Sequence, residues 1–144
     1  FAYNSRLDTI QAVVANHLLK KLKNITKKRI LNSCYLDKNL SLFKDIQLIQ
    51  REKNSTEVFH LYCLRVKSKK KEITKNLIKN GIDVKVHYPI PMHLQPAAKE
   101  LGYKKGSFPI TEKIASETIS LPVHEFITKG NLDKIISVFK KVYG

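Results

Sequence analysis

The chain has 144 residues, 42% of them hydrophobic, which suits a single domain with a real core. No apolar run approaches the roughly 18 residues that a membrane span needs, and the opening Phe-Ala-Tyr-Asn-Ser-Arg lacks the basic start and apolar stretch of a secretory signal. The formal charge of +15 raises nucleic-acid binding, but only four of the 27 basic residues (Arg6, Arg29, Arg51 and Arg65) are arginine, the better fork for phosphate and base edges, and they do not cluster.

Ser5-Arg6-Leu7-Asp8 matches a capping box, a serine followed three residues later by an acid, and predicts a helix start. Leu7, Ile10, Val14, Leu18, Leu22 and Ile25 then recur at spacings of three and four. No proline or glycine interrupts the pattern, which continues through Leu31, Tyr35 and Leu36 to about Leu40. One long helix over residues 1–40 is expected, with Lys20, Lys21, Lys23, Lys27 and Lys28 as its solvated face. It is longer than such a domain needs and would suit a spine joining the domain to something upstream.

Residues 45–51 alternate loosely and read as a strand, followed by a turn at Glu52-Lys53-Asn54-Ser55. Residues 58–66 are a stronger strand, with Val58, His60, Tyr62, Leu64 and Val66 on one face and Phe59, Leu61, Cys63 and Arg65 on the other. Both faces are largely apolar, so this strand should be central, and Arg51 and Glu57 should bracket the loop between the two. The charge run Lys67 to Lys71 reads as a solvated turn. A helix is expected over residues 72–80, capped by Gly81, then a short strand over 83–88.

His87-Tyr88-Pro89-Ile90-Pro91-Met92-His93 looks built for chemistry. Proline fixes φ and disfavours helix in the residue before it, so Tyr88 and Ile90 should be extended and the segment a stiff rod. Stiffness suits a binding wall; the bland alternative is a strand end running into a loop, with histidines that cap backbone groups. Beyond it come a helical turn over 96–101 ending at Gly102, a short helix over 110–117, an extended Ser120-Leu121-Pro122, and a closing helix over 131–142. The closing helix carries Leu132, Ile135, Ile136, Phe139 and Val142 on one side. Segregated strands and helices of this kind give an α+β fold, a small, mainly antiparallel sheet with helices packed on it.

Cys34 and Cys63 form no CxxC pair, lie in apolar patterns and read as small core residues, which fits a reducing, cytoplasmic setting. There is no GxGxxG, P-loop or HExxH, and the five histidines have no zinc-site spacing. His87 and His93 could share a metal only if the proline loop folded back. His60 and Cys63 should point to opposite faces of their strand, which argues against a thiol nucleophile.

Several ordered segments share one resemblance. Asn4 to Ala12 resembles an N-x-R-x-D-x-x-Q-A segment, and Arg29 and Tyr35 fit an R…Y spacing. His60-Leu61-Tyr62 resembles an H-L-Y strand. Gly81-Ile82 followed by His87 to Gln95 is similar to GI…HYPxPxHxQ. Gly102-Tyr103, Phe108-Pro109, Glu112 and Ser120-Leu121-Pro122 match GY…FP…E…SLP. Together these resemble the DegT/DnrJ/StrS family of fold-type I, pyridoxal-phosphate-dependent aminotransferases that act on nucleotide-linked keto-sugars. Phe1-Ala2 departs from the glycine usual before the aromatic and Asn4.

The resemblance covers the carboxy-terminal part of such an enzyme. It implies that residues 1–144 are the small domain, with the catalytic large domain, its Schiff-base lysine and the acid facing the cofactor's pyridine nitrogen lying upstream. Phe1 in place of methionine fits a cut through a longer protein. The resemblance implies that Asn4 reaches across a homodimer to the neighbouring cofactor's phosphate, with Arg6 supporting it, and that His87 and Tyr88 line the nucleotide-sugar cleft. Tyr62 and His60 would be core or subunit-contact residues, and His93 structural. Glutamate or glutamine would donate the amino group, in amino-sugar or cell-surface polysaccharide biosynthesis, and the fragment alone should be inactive. Two other readings remain at this point: a non-catalytic sensor or dehydratase-like relative on the same fold, and a basic module for nucleic acid or an acidic partner.

Overall fold

The computed structural model describes residues 7–144. The order of elements is α1 (Thr9–Leu19), α2 (Leu22–Leu40), β1 (Ile46–Leu48), β2 (Tyr62–Val66), α3 (Lys70–Lys79), two 3₁₀ turns (Met92–Leu94 and Pro96–Leu101), α4 (Pro109–Glu117), β3 (Thr118–Leu121) and α5 (Lys129–Tyr143). The strands form one antiparallel sheet in the order β1-β2-β3, with Ile46 opposite Val66 and Leu64 opposite Ile119. The α+β reading and the central place of β2 both hold. No helix among the described residues is long and apolar enough to cross a membrane.

The expected single long helix is two helices. Asp8, not Ser5, stands at the N-cap of α1, where its backbone N–H donates to Gln11 Oε1 at 3.1 Å; Ser5 lies outside the described residues. The break falls at Lys20-Lys21, where Lys21 N–H turns back to Leu18 O at 2.9 Å. No residue of α1 is buried, so no packing among the described residues holds α1 in line with α2. The apolar stripe from Leu7 to Leu22 is therefore exposed instead of facing a core. The five lysines at 20, 21, 23, 27 and 28 are exposed, as a solvated face should be.

The core lies between one face of the sheet and α2, α3 and α5. Tyr62, Leu64 and Val66 of β2 point into it, with Leu36 and Leu40 of α2, Ile73 and Leu77 of α3, and Ile119 and Leu121 of β3. α5 supplies Leu132, Ile135, Ile136, Val138, Phe139 and Val142. It starts at Lys129, earlier than its apolar stripe, because Thr128 caps it: Asn131 N–H donates to Thr128 Oγ1 at 3.2 Å and Thr128 N–H to Asn131 Oδ1 at 3.0 Å. In α2 the buried stripe is out of phase with expectation. Ser33 is buried, its hydroxyl satisfied by Ile30 O at 2.8 Å, and Cys34 is exposed and not in the core.

The strand expected over 58–66 begins only at Tyr62. Phe59 has φ +52°, which reverses the alternation: Phe59 is buried while Val58 and His60 are exposed. Long-range contacts hold this unusual backbone. Arg29 Nη1 donates to Phe59 O at 3.1 Å, and the Arg51 guanidinium lies 4.5 Å from the centre of the Phe59 ring. Arg51 also forks onto Asp37 at 3.0 and 3.2 Å and pairs with Glu57, closing the β1–β2 loop as anticipated. Tyr62 donates its hydroxyl to the same Asp37 at 2.7 Å. Burial, reinforced by that carboxylate, pushes the Tyr62 hydroxyl well above the usual phenol range.

α3 ends where Gly81 takes φ +71°, its N–H on Ile78 O at 2.8 Å and Ile82 N–H on Leu77 O at 3.0 Å. A Cβ added at Gly81 would meet nothing within 4 Å. Gly81→Ala should therefore cost only the conformational penalty, about 1 kcal/mol in denaturant unfolding.

Candidate functional site

The segment after Gly81 is not a full strand. It touches the sheet at one bridge, where Lys85 N–H donates to Ser120 O at 3.0 Å and Ser120 N–H to Lys85 O at 2.8 Å. That bridge fixes the chain two residues before His87. His87 Nδ1 then lies 2.9 Å from Ser120 Oγ, and Ser120 Oγ lies 3.3 Å from Cys63 Sγ on β2.

His87 lines a cavity of about 240 Å³ together with His60, His124, Arg29 and Lys85. The two cations are not idle. Lys85 Nζ pairs with Asp83 at 2.7 Å, and Arg29 Nη2 pairs with Glu125 at 3.3 Å. The Glu125 carboxyl is held below the usual carboxylate range, by a backbone hydrogen bond within its own residue first and by Arg29 second. The cavity thus offers three imidazoles and two compensated cations, a wall suited to hydrogen-bonding a polar, oxygen-rich ligand.

Tyr88 behaves otherwise. The two prolines do not leave it extended: it has φ +57°, is 73% exposed, and does not line this cavity. His87 and Tyr88 are adjacent in sequence but do not converge. Asn4 and Arg6, the residues expected at the cofactor phosphate, lie outside the described residues.

His93 is a structural clamp. Its side chain is 8% exposed, and its Nε2 lies 3.0 Å from Glu112 Oε1. The same oxygen accepts Gly106 N–H at 2.8 Å and Phe108 N–H at 3.4 Å, and the Phe108 ring meets the His93 ring edge-on at 4.9 Å. His87 and His93 are thus engaged separately, and the proline loop does not bring them to one point. Burial works to raise the Glu112 pKa, but the hydrogen bonds from Gly106, His93 and Phe108 outweigh it and leave the carboxyl below its ordinary value. A carboxyl depressed in the folded state stabilises fully above its unfolded pKa of about 4.3. That contribution is lost as the pH falls through the lower folded value. Hydrogen exchange at the Gly106 and Phe108 amides should therefore lose protection on acidification below about pH 4, and Glu112→Gln should weaken that protection already at neutral pH.

Two features of the site escape a linear reading. Ser120 stands in the strand Thr-Ile-Ser-Leu, and although Ser120-Leu121-Pro122 belongs to the resemblance, nothing in that match says that its hydroxyl meets His87. Asp37, which anchors both Arg51 and Tyr62, sits on a half-polar stretch of α2 with no local mark at all.

Lys85 is the lysine on the cavity wall, and its ammonium is taken by Asp83 and largely exposed.

The geometry is a small antiparallel sheet with helices packed on it and a histidine-bearing loop at its end. A family model, the DegT/DnrJ/EryC1/StrS aminotransferase family, matches residues 1–140, and the chain belongs to that family. It is 31% identical over 137 residues to the erythromycin biosynthesis sensory transduction protein EryC1 of Saccharopolyspora erythraea, covering 95% of this chain and 37% of EryC1. It is 31% identical over 142 residues to the dTDP-3-amino-3,6-dideoxy-alpha-D-galactopyranose transaminase of Aneurinibacillus thermoaerophilus, covering 98% of this chain and 38% of that enzyme. The crystal structure of S. venezuelae DesV, in complex with a ketimine intermediate, matches at a TM-score of 0.90 and 28% identity, over 99% of this chain and 38% of DesV. The chain therefore spans less than two-fifths of the length of these relatives.

Proposed function

We propose that the protein carrying this chain is a pyridoxal-phosphate-dependent aminotransferase that moves an amino group from glutamate or glutamine to a nucleotide-linked keto-sugar, and that residues 1–144 are its small domain. The observation that carries the reading is the seat of His87, at the end of the sheet, facing a polar cavity and anchored from behind by Ser120. The cofactor, when bound, supplies the amino-group carrier chemistry. This chain's residues bind and orient. His87 hydrogen-bonds a sugar or phosphate oxygen, and Tyr88, on the exposed side of the same loop, meets the substrate where it leaves the cavity. Asn4 and Arg6 bear on the phosphate of a neighbouring subunit's cofactor in a homodimer. Residues 1–40, which include α1 and α2, connect this domain to the portion that carries the reactive lysine. The domain alone is inactive, and the protein works in the cytoplasm.

The test supplies the whole protein with glutamate or glutamine and a panel of nucleotide-linked keto-sugars and looks for the amino-sugar by mass spectrometry. Product formation with any of them supports the reading. The name of the EryC1 relative, a sensory transduction protein, favours a second reading, a sensor on the same fold. A protein that binds cofactor and sugar nucleotide but forms no amino-sugar would support it.

A further inference from the structure

Ser120 is buried, at 3% exposure, on a strand whose neighbouring side chains are apolar. A buried hydroxyl costs stability unless it is hydrogen-bonded. Its partners here are Cys63, directly opposite it across the β2–β3 ladder, and His87. The backbone of Ser120 is also bonded in both directions to Lys85. The serine therefore grips the segment leading to His87 by its main chain and the imidazole by its side chain.

The direction of the chain follows from the donors and acceptors. A thiol is a weak donor and a weak acceptor, a hydroxyl is good at both, and the unprotonated nitrogen of an imidazole is a good acceptor. If Cys63 donates to Ser120 and Ser120 donates to His87 Nδ1, the strong hydroxyl proton meets the strong acceptor. In the opposite direction that proton would end on sulfur. The first arrangement puts the proton of neutral His87 on Nε2, which has no protein partner among the described residues.

We propose that Ser120, backed by Cys63, is a positioning residue that holds neutral His87 in its Nε2–H form, so that the imidazole offers the substrate a hydrogen-bond donor and not a base. This deepens the reading of His87 as a substrate contact and rests on it only for its consequence in turnover. The ligand atom that such a donor recognises is an acceptor oxygen, a sugar hydroxyl, ketone or phosphate.

The test is ¹⁵N–¹H long-range NMR of the whole protein with labelled histidine, on the wild type, Ser120→Ala, Ser120→Thr and Cys63→Ala, with sugar-nucleotide kinetics alongside. The wild type should show His87 as the Nε2–H form. Ser120→Ala should admit the Nδ1–H form and raise KM for the sugar nucleotide about 2- to 10-fold, the loss of one modest hydrogen bond. Ser120→Thr should restore the wild-type signature, and Cys63→Ala should keep it, since the hydroxyl still donates. An Nδ1–H imidazole in the wild type, or an unchanged tautomer in Ser120→Ala, would overturn the proposal. If the tautomer responds as expected but KM moves in neither Ser120→Ala nor His87→Ala, the positioning stands and the substrate-contact reading fails instead.

Discussion

Phe139→Ala is expected to lower the unfolding free energy by about 3–5 kcal/mol, the cost of deleting a fully buried aromatic and leaving a cavity. Phe139 has 0% exposure, and its ring centre lies 6.3 Å from that of Phe43, which also packs on Tyr143 at 5.9 Å. It lies on α5, which packs against both α2 and α3. A domain holds only about 5–15 kcal/mol in total, so a loss of this size moves it to the margin of folding. Denaturant midpoints measure the effect. Phe126→Ala is the control: at 80% exposure, that residue should change stability by less than about 0.5 kcal/mol.

His87→Ala is expected to reduce kcat/KM for the nucleotide-sugar half of the reaction about 10- to 100-fold. That range is the loss of one hydrogen bond to a charged or strongly polarised oxygen, about 1.5–3 kcal/mol. His87 donates from a wall and carries no covalent chemistry in this account. The half-reaction with glutamate or glutamine should therefore be hardly affected by comparison, and folding should be intact, because the residue is exposed. A loss spread equally over both half-reactions would point to a general defect and not to a substrate contact.

The parts of this fold that a linear reading finds are those where one local pattern decides the outcome. The α5 stripe from Leu132 to Val142 faces the core, Gly81 ends α3 with a positive φ, and β2 is central because both its faces are mostly covered. The parts it misses are decided at a distance. Nothing near Lys20-Lys21 announces a break, which goes with a first helix that buries none of its residues. Phe59 reads as one more strand residue, yet Arg29 and Arg51, 30 and 8 positions away, hold it at φ +52°. In the site, His87 is marked by its proline-rich surroundings. Its partnership with Ser120 is not, because the bond between them exists only once Lys85 has paired with β3. Tyr88 departs in its backbone: the flanking proline suggests an extended residue, and the folded chain holds it at φ +57°, away from the cavity that His87 lines.

The central claim is that these 144 residues close a pocket whose reactive amine is carried elsewhere. Reduction of the whole protein with borohydride in the presence of pyridoxal phosphate, followed by peptide mapping of the labelled lysine, tests it most directly. The account predicts stoichiometric label on a single lysine in a peptide outside residues 1–144. Label on one of the lysines of this chain, or no specific label at all, would contradict it.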